Sequence, residues 1–122
     1  IVGRKARNFV IEKIKEFKVG KYFDLIIVNV ENSAGGFGVT PEICDNFILN
    51  GADILTSGNH IWDKKEIISY INETNKLLRP MNMVEGTPGL GITIIDTSFG
   101  KVGVANVMTN LFMPNQTLFL SY

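Results

Sequence analysis

The chain has 122 residues, of which 45% are hydrophobic and 20% are charged, a composition typical of one soluble globular domain spanning residues 1–122. Twelve basic and twelve acidic residues give a formal net charge of zero, which argues against a broad nucleic-acid-binding face and against a polybasic membrane anchor. The single cysteine, Cys44, excludes an internal disulfide, and with no leader-like or membrane-spanning run in the sequence we expect a cytoplasmic location.

Helical and extended patterns alternate along the chain, which favours an α/β layer fold. Apolar residues at helical spacing predict a first helix over 4–18 that stops near Gly20. The almost continuous apolar run DLIIVNV, residues 24–30, predicts a strand covered on both faces, as in a parallel sheet. Residues 52–56 predict a second short strand.

Two further helices are predicted from their start signals. Thr40, followed by a proline, is a suitable N-cap for a helix that runs to Asn50, where an Asn-Gly pair supplies the stop. Asp63, with Glu66 three residues later, resembles a capping box and predicts a third helix to about residue 75.

The second half of the chain is predicted to be mostly extended. Residues 77–78 are a candidate third strand, and residues 81–91 have the composition of a loop. Residues 92–96 and 101–107 predict a β-hairpin. Residues 108–122 have no clear period.

Polar side chains follow each of the first two predicted strands. Asn29, Glu31 and Asn32 lie at the end of the first, and Asn59 and His60 at the end of the second. Ligands gather at the carboxyl ends of parallel strands, so the two clusters converge if the strands are neighbours. The sequence therefore predicts a polar site rich in oxygen ligands at this edge of the sheet.

Each of these residues also has a simpler interpretation. Glu31 is either a solvated loop acid or a metal-bridging carboxylate. Asn32 and Asn59 are either turn residues or oxygen ligands. His60 is either a packed histidine or a general acid that contacts phosphate.

The glycines of SAGGFG after the first strand suggest a phosphate-binding turn, but they fit neither a dinucleotide fingerprint nor a P-loop. They are better explained by a sharp turn or a close approach of the backbone to the site. Cys44 is interpreted as an inert buried thiol. Three aromatic residues are assigned to the core rather than to a ligand platform: Phe37, Phe47 and Trp62.

The chain resembles the YmdB-like metallophosphoesterases, a branch of the calcineurin-like superfamily, in four segments: NVENSAGGFGVTPE, ADILTSGNHIWDKKEI, RPMNMVEGTPGLG and DTSFGKVGVANVM. The resemblance extends from residue 1 to about residue 114. G-N-H after a short strand is the marker of the superfamily. G-G-F-G-x-T-P and G-N-H-x-W-D-K-K-E are specific to the branch.

The resemblance implies a four-layer αββα fold, a β-sandwich flanked by helices, that holds two divalent transition-metal ions, whether iron, manganese or zinc. By this resemblance Glu31 bridges the metals and Asn59 ligates the second metal. Asn32 contacts a metal, a metal-bound water or phosphate. His60 contacts the phosphate and donates the proton to the leaving oxygen. The implied activity is hydrolysis of 2′,3′-cyclic nucleotides or related small phosphodiesters by a hydroxide held between the metals.

The chain also departs from the family pattern. The family's first metal motif is G-D-I-V-G, whereas this sequence begins at I-V-G, and the family's later ligands are histidines, whereas His60 is the only histidine here. The resemblance therefore implies an amino-terminal portion, with the second half of the sandwich missing, weak metal binding and impaired activity. Uncovered strand edges would favour a homo-oligomer.

Two alternatives are open. In the first, the chain is a non-catalytic remnant that binds phosphate or RNA ends in a regulatory role. In the second, it is an unrelated nucleotide-binding module that binds its ligand through the glycines after the first strand. A dependence on metal separates these from the phosphodiesterase.

Overall fold

The computed structural model describes residues 1–109, so predictions for the last residues, 110–122, lie outside the described part of the chain. Helices and strands alternate as predicted, and the α/β class is confirmed. The elements in chain order are α1 Gly3–Gly20, β1 Ile27–Asn29, α2 Pro41–Leu49, β2 Ile54–Thr56, a 3₁₀ helix Asn59–Asp63, α3 Ile67–Glu73, β3 Leu77–Leu78, β4 Ile92–Thr97 and β5 Gly100–Ala105.

The first three strands form a parallel sheet in the order β1-β2-β3. Ile27 is opposite Ile54 in this sheet, and Thr56 is opposite Leu78. The last two strands form a separate antiparallel hairpin. Because all three parallel strands run in one direction, the residues that follow them emerge at the same edge of the sheet.

Helices α1, α2 and α3 pack on the parallel sheet through their apolar residues. This core includes Ile14 of α1, Phe47 of α2 and Ile71 of α3. A second, smaller cluster joins Ile54 and Leu78 of the parallel sheet to Val104 of the hairpin. The two clusters place β2 and β3 between the helices and the hairpin.

Cys44 lies in the core as predicted. It is fully buried in α2. Burial, assisted by the nearby charge of Asp45, raises the pKa of the Cys44 thiol to about 12. The reactive thiolate is therefore scarce at neutral pH.

The start of α2 follows the prediction, whereas the start of α3 does not. The Thr40 hydroxyl accepts a hydrogen bond from the backbone N–H of Ile43 at 3.3 Å. The predicted capping box of Asp63 and Glu66 is wrong, because α3 begins at Ile67 and Glu66 makes no side-chain cap. The chain first forms the 3₁₀ helix, which shifts the start of α3 beyond Asp63.

The prediction that the first strand is covered on both faces is also wrong. β1 is an edge strand in the described part of the chain, and only Val28 faces the core. Ile27 is 45% exposed. It lines an apolar groove of about 490 Å³ between β1 and α1.

Of the three aromatic residues assigned to the core, one is not there. Phe47 is buried and Trp62 packs against the main cluster. Phe37 is 59% exposed, because it lies on the turn after β1 rather than on a helix or strand that faces the core.

None of the helices in residues 1–109 is both long and apolar enough to cross a membrane.

Candidate functional site at the carboxyl ends of the parallel strands

The turns that follow β1 and β2 lie side by side. The backbone N–H of Val30 donates to the carbonyl of Thr56 at 2.9 Å, which continues the pairing of the two strands by one residue. Glu31 and Ser57 therefore leave the sheet next to each other. The two polar clusters predicted from the sequence meet at this edge.

The carboxylate of Glu31 lies against the α-carbon of Gly58. A Cβ atom at position 58 would collide with both oxygens of that carboxylate. The backbone N–H of His60 faces Glu31 Oε1 at 3.4 Å. Gly58 has a negative φ of −147°, so the left-handed backbone that favours glycine is not the reason for it, and its missing side chain matters for space. The glycine of the G-N-H motif thus makes room for the carboxylate of the E-N motif.

Asn32 carries an unpartnered oxygen in this region. Its Oδ1 atom is buried and has no hydrogen-bond partner among the described residues. A buried amide oxygen without a partner costs stability unless a ligand satisfies it. A metal ion is one such ligand, because hard cations bind amide and carboxylate oxygens.

The other two asparagines have different environments. Asn59 is half-buried and begins the 3₁₀ helix. Asn29 ties the strand ends together: its amide donates to the Thr56 hydroxyl at 3.4 Å and its oxygen accepts from the backbone N–H of Glu31 at 3.3 Å. Asn29 therefore has a structural role.

His60 is held by a carboxylate that the sequence analysis assigned to a helix cap. Its Nδ1 lies 2.7 Å from Oδ2 of Asp63, three residues later on the 3₁₀ helix. When Nδ1 donates to that carboxylate, Nε2 is the ring nitrogen that can meet a ligand. The spacing of the two residues within N-H-I-W-D was the available signal, because residues three apart share one face of a 3₁₀ helix.

The glycine-rich turn packs directly on the 3₁₀ helix. Gly35, Gly36 and Gly38 all have positive φ, and a Cβ at Gly38 would come within 3.0 Å of the His60 carbonyl oxygen. The turn is closed by a hydrogen bond of 2.9 Å from the Ala34 N–H to the Gly38 carbonyl. The close-approach interpretation of these glycines agrees with this geometry.

Asn106 was missed in the sequence analysis. Its amide donates to the carbonyl oxygens of Ser57 at 2.8 Å and Leu78 at 3.1 Å. It therefore joins the end of β5 to the ends of β2 and β3, beneath the site. An asparagine after an apolar strand has no sequence signal that identifies such distant partners.

The donor set of the site consists mainly of oxygen atoms. Within residues 1–109, no group of three or more His, Cys, Asp or Glu side chains could hold a metal ion. Glu31 and the amide oxygens of Asn32 and Asn59 nevertheless fit part of a coordination sphere for a divalent cation.

A sequence model of the YmdB-like protein family matches residues 1–121. The chain belongs to the YmdB-like family. It is 40% identical over 114 residues to a Bacillus subtilis protein named 2′,3′-cyclic-nucleotide 2′-phosphodiesterase, covering 93% of this chain and 43% of that protein. Family membership removes the alternative of an unrelated nucleotide-binding module.

Two solved structures share the fold of this chain. A hypothetical protein from Thermus thermophilus matches with a TM-score of 0.86 and 28% identity, covering 95% of this chain and 45% of the other. A novel phosphatase from Mycoplasma pneumoniae matches with a TM-score of 0.83 and 25% identity, covering 97% and 44%. The chain thus spans less than half the length of these proteins.

Proposed function

We propose that the protein is a metal-dependent phosphodiesterase whose site lies at the ends of β1 and β2. The observation that carries the proposal is the packing of the Glu31 carboxylate on Gly58, next to a histidine whose Nδ1 is engaged by Asp63. A carboxylate ligand and an oriented imidazole are two kinds of group that can serve metal-assisted phosphoryl transfer, as metal ligand and as general acid. The names of the relatives give the same class of reaction.

Three residues are proposed as metal ligands: Glu31, Asn32 and Asn59. Glu31 would bridge two divalent ions, whether iron, manganese or zinc, and the buried Oδ1 of Asn32 would gain the partner that it lacks among the described residues. When bound, the metal pair would activate the attacking water and neutralise charge on the phosphoryl oxygens. The remaining ligands would come from outside residues 1–109.

His60 is proposed as the proton donor. In the reaction, the oxygen of water bonds to phosphorus and one water proton passes to solvent, the bond from phosphorus to the leaving ester oxygen breaks, and the Nε2 proton of the imidazolium passes to that oxygen. The hydrogen bond from Nδ1 to Asp63 fixes the ring, so that the second proton of the imidazolium, on Nε2, would face the substrate. Asn32 and His60 would also hold the phosphate.

We propose 2′,3′-cyclic nucleotides as the substrate class, because the Bacillus subtilis relative is named for them. Hydrolysis by the same route would break the bond to the 2′ oxygen and leave a 3′-phosphate. The cytoplasmic location and the absence of a nucleic-acid-binding face stay predictions.

The test is a turnover assay on the complete product of the gene, because the 114 aligned residues of this chain cover 43% of the Bacillus subtilis relative. We expect hydrolysis of 2′,3′-cyclic AMP to adenosine 3′-phosphate that requires added manganese, iron or zinc and stops in chelator. Binding of the nucleotide without turnover at any metal concentration would favour the non-catalytic remnant that binds phosphate or RNA ends. Turnover that persists in chelator would contradict the metal mechanism.

A further inference from the structure

The exposed ring of Phe37 is a feature of the site that the proposed reaction does not use. Phe37 is 59% exposed, although phenylalanine is usually buried. Its ring meets the imidazole of His60 edge to face, with the centroids 5.0 Å apart. The ring therefore stands beside the proposed proton donor with more than half of its surface open to solvent.

The turn holds Phe37 in this position. Three glycines with positive φ flank it in the sequence, and the turn is closed by the hydrogen bond from the Ala34 N–H to the Gly38 carbonyl. The Arg7 guanidinium of α1 donates to the Ser33 carbonyl at the start of the turn. A Cβ built at Gly35 or Gly36 meets no atom within 4 Å, so the space next to these glycines is open.

The chemistry of a cyclic nucleotide places its base close to the leaving oxygen. The 2′ oxygen is attached to the ribose carbon next to the one that carries the base. A proton donor in contact with that oxygen therefore has the base only a few bonds away. An aromatic ring in contact with the donor is suitably placed to receive a base.

We propose that Phe37 is a specificity-determining residue that stacks on the nucleobase of the substrate. The proposal rests on the proposed function and adds its selectivity: nucleotides are preferred over phosphodiesters that lack a base. Stacking on a phenyl ring tolerates every base, since each has a π face, and no base-specific hydrogen bond is involved. Selectivity among the four bases should therefore be weak.

The experiment compares two substrates with the complete gene product: 2′,3′-cyclic AMP and the base-free 1-O-methylribose 2,3-cyclic phosphate. The variants are Phe37→Ala, Phe37→Tyr and, as a matched control, Phe99→Ala. Phe99 is an exposed phenylalanine in the β4–β5 turn and is not part of the site. Each kcat/KM is measured at saturating metal.

We expect Phe37→Ala to lower kcat/KM for 2′,3′-cyclic AMP by roughly 5- to 100-fold, the range typical of a lost stacking partner. The base-free substrate should change by less than about 3-fold, since no stack is lost there. Phe37→Tyr should retain activity toward both substrates, and Phe99→Ala should alter neither. An equal loss for both substrates in Phe37→Ala would overturn the proposal, because Phe37 would then only support His60.

A binding measurement keeps the proposal testable if neither substrate is hydrolysed, an outcome that would count against the proposed function alone. Calorimetric titration with adenosine 3′-phosphate and with ribose 3-phosphate measures the contribution of the base directly. Tighter binding of the nucleotide that disappears in Phe37→Ala supports stacking. Equal affinities for the two ligands in the unchanged protein would contradict it.

Discussion

At the residue scale, the Glu31 carboxylate fills the space that a side chain at position 58 would need. A substitution at Gly58 therefore tests the site without a large effect on the stability of the fold. A Gly58→Ala substitution would displace the Glu31 carboxylate, the far end of a flexible side chain, rather than any backbone atom. We expect the melting temperature to change little. Metal affinity should fall by about 10- to 100-fold, as it does when the orientation of a ligand is lost.

The measurement for Gly58→Ala is manganese binding by electron paramagnetic resonance in the complete gene product, together with thermal unfolding. Gly103→Ala is the matched control, because a Cβ there meets no atom within 4 Å. Unchanged metal affinity in Gly58→Ala would show that the position of Glu31 is irrelevant to metal binding.

The pair of His60 and Asp63 can be tested without turnover. His60 is the only histidine of the 122-residue chain, so its ring nitrogens give unambiguous signals. At a pH where the imidazole is neutral, nitrogen-15 chemical shifts should report a proton on Nδ1, because Asp63 accepts there. Asp63→Ala should transfer the proton largely to Nε2, whereas Glu66→Ala should not.

A proton on Nε2 of the neutral imidazole in the unchanged chain would contradict the proposed orientation of His60.

The sequence predicted Glu31, Asn32, Asn59 and His60 as candidates because parallel strands end at a common edge. It did not identify Asp63 as the partner of His60, since the spacing to Glu66 imitated a capping box. Phe37 was assigned to the core because an apolar residue in a turn carries no sign of its exposure.

At the scale of the elements, α2 illustrates a local signal that decides the structure. The Thr40 hydroxyl caps the helix, and the proline after it needs no backbone hydrogen bond there. Thr40→Ala should lower the free energy of unfolding by about 1 kcal/mol, whereas Thr40→Ser should retain most of it. Urea unfolding measures both, and equal losses in the two variants would contradict the cap.

Elements whose form depends on distant partners were predicted less well. The hairpin was predicted, but β4 extends to Thr97 and β5 begins at Gly100, so the turn is tighter than expected. The sequence of β1 predicts a strand that is covered on both faces, yet its second face is exposed in the described part of the chain. Coverage is a property of the neighbours of a strand, and the residues of the strand itself do not determine it.

At the scale of the whole molecule, the outer face of the hairpin carries two exposed isoleucines beside the exposed ion pair of Asp96 and Lys101. Ile92 and Ile94 are both more than half exposed on β4. An exposed apolar sheet face favours association. The homo-oligomer expected from the sequence would form through such a face, and it stays a prediction.

We expect the 122-residue chain to associate with itself at high concentration through this face. Ile94→Lys should weaken the association by about 10-fold or more, since each copy would no longer bury an isoleucine. Val19→Lys, at an exposed position on α1, is the matched control and should leave it unchanged. Sedimentation velocity distinguishes these cases, and equal effects of the two variants would exclude the hairpin face.

The most direct test of the account is His60→Ala in the complete gene product, with turnover and bound metal measured on the same preparation. The account predicts that kcat/KM for 2′,3′-cyclic AMP falls by about 100- to 10,000-fold, the usual contribution of a general acid. The metal content should equal that of the unchanged protein. Loss of metal would make His60 a ligand, and retained turnover would mean that the proton comes from another group; either result would contradict the role assigned to this site.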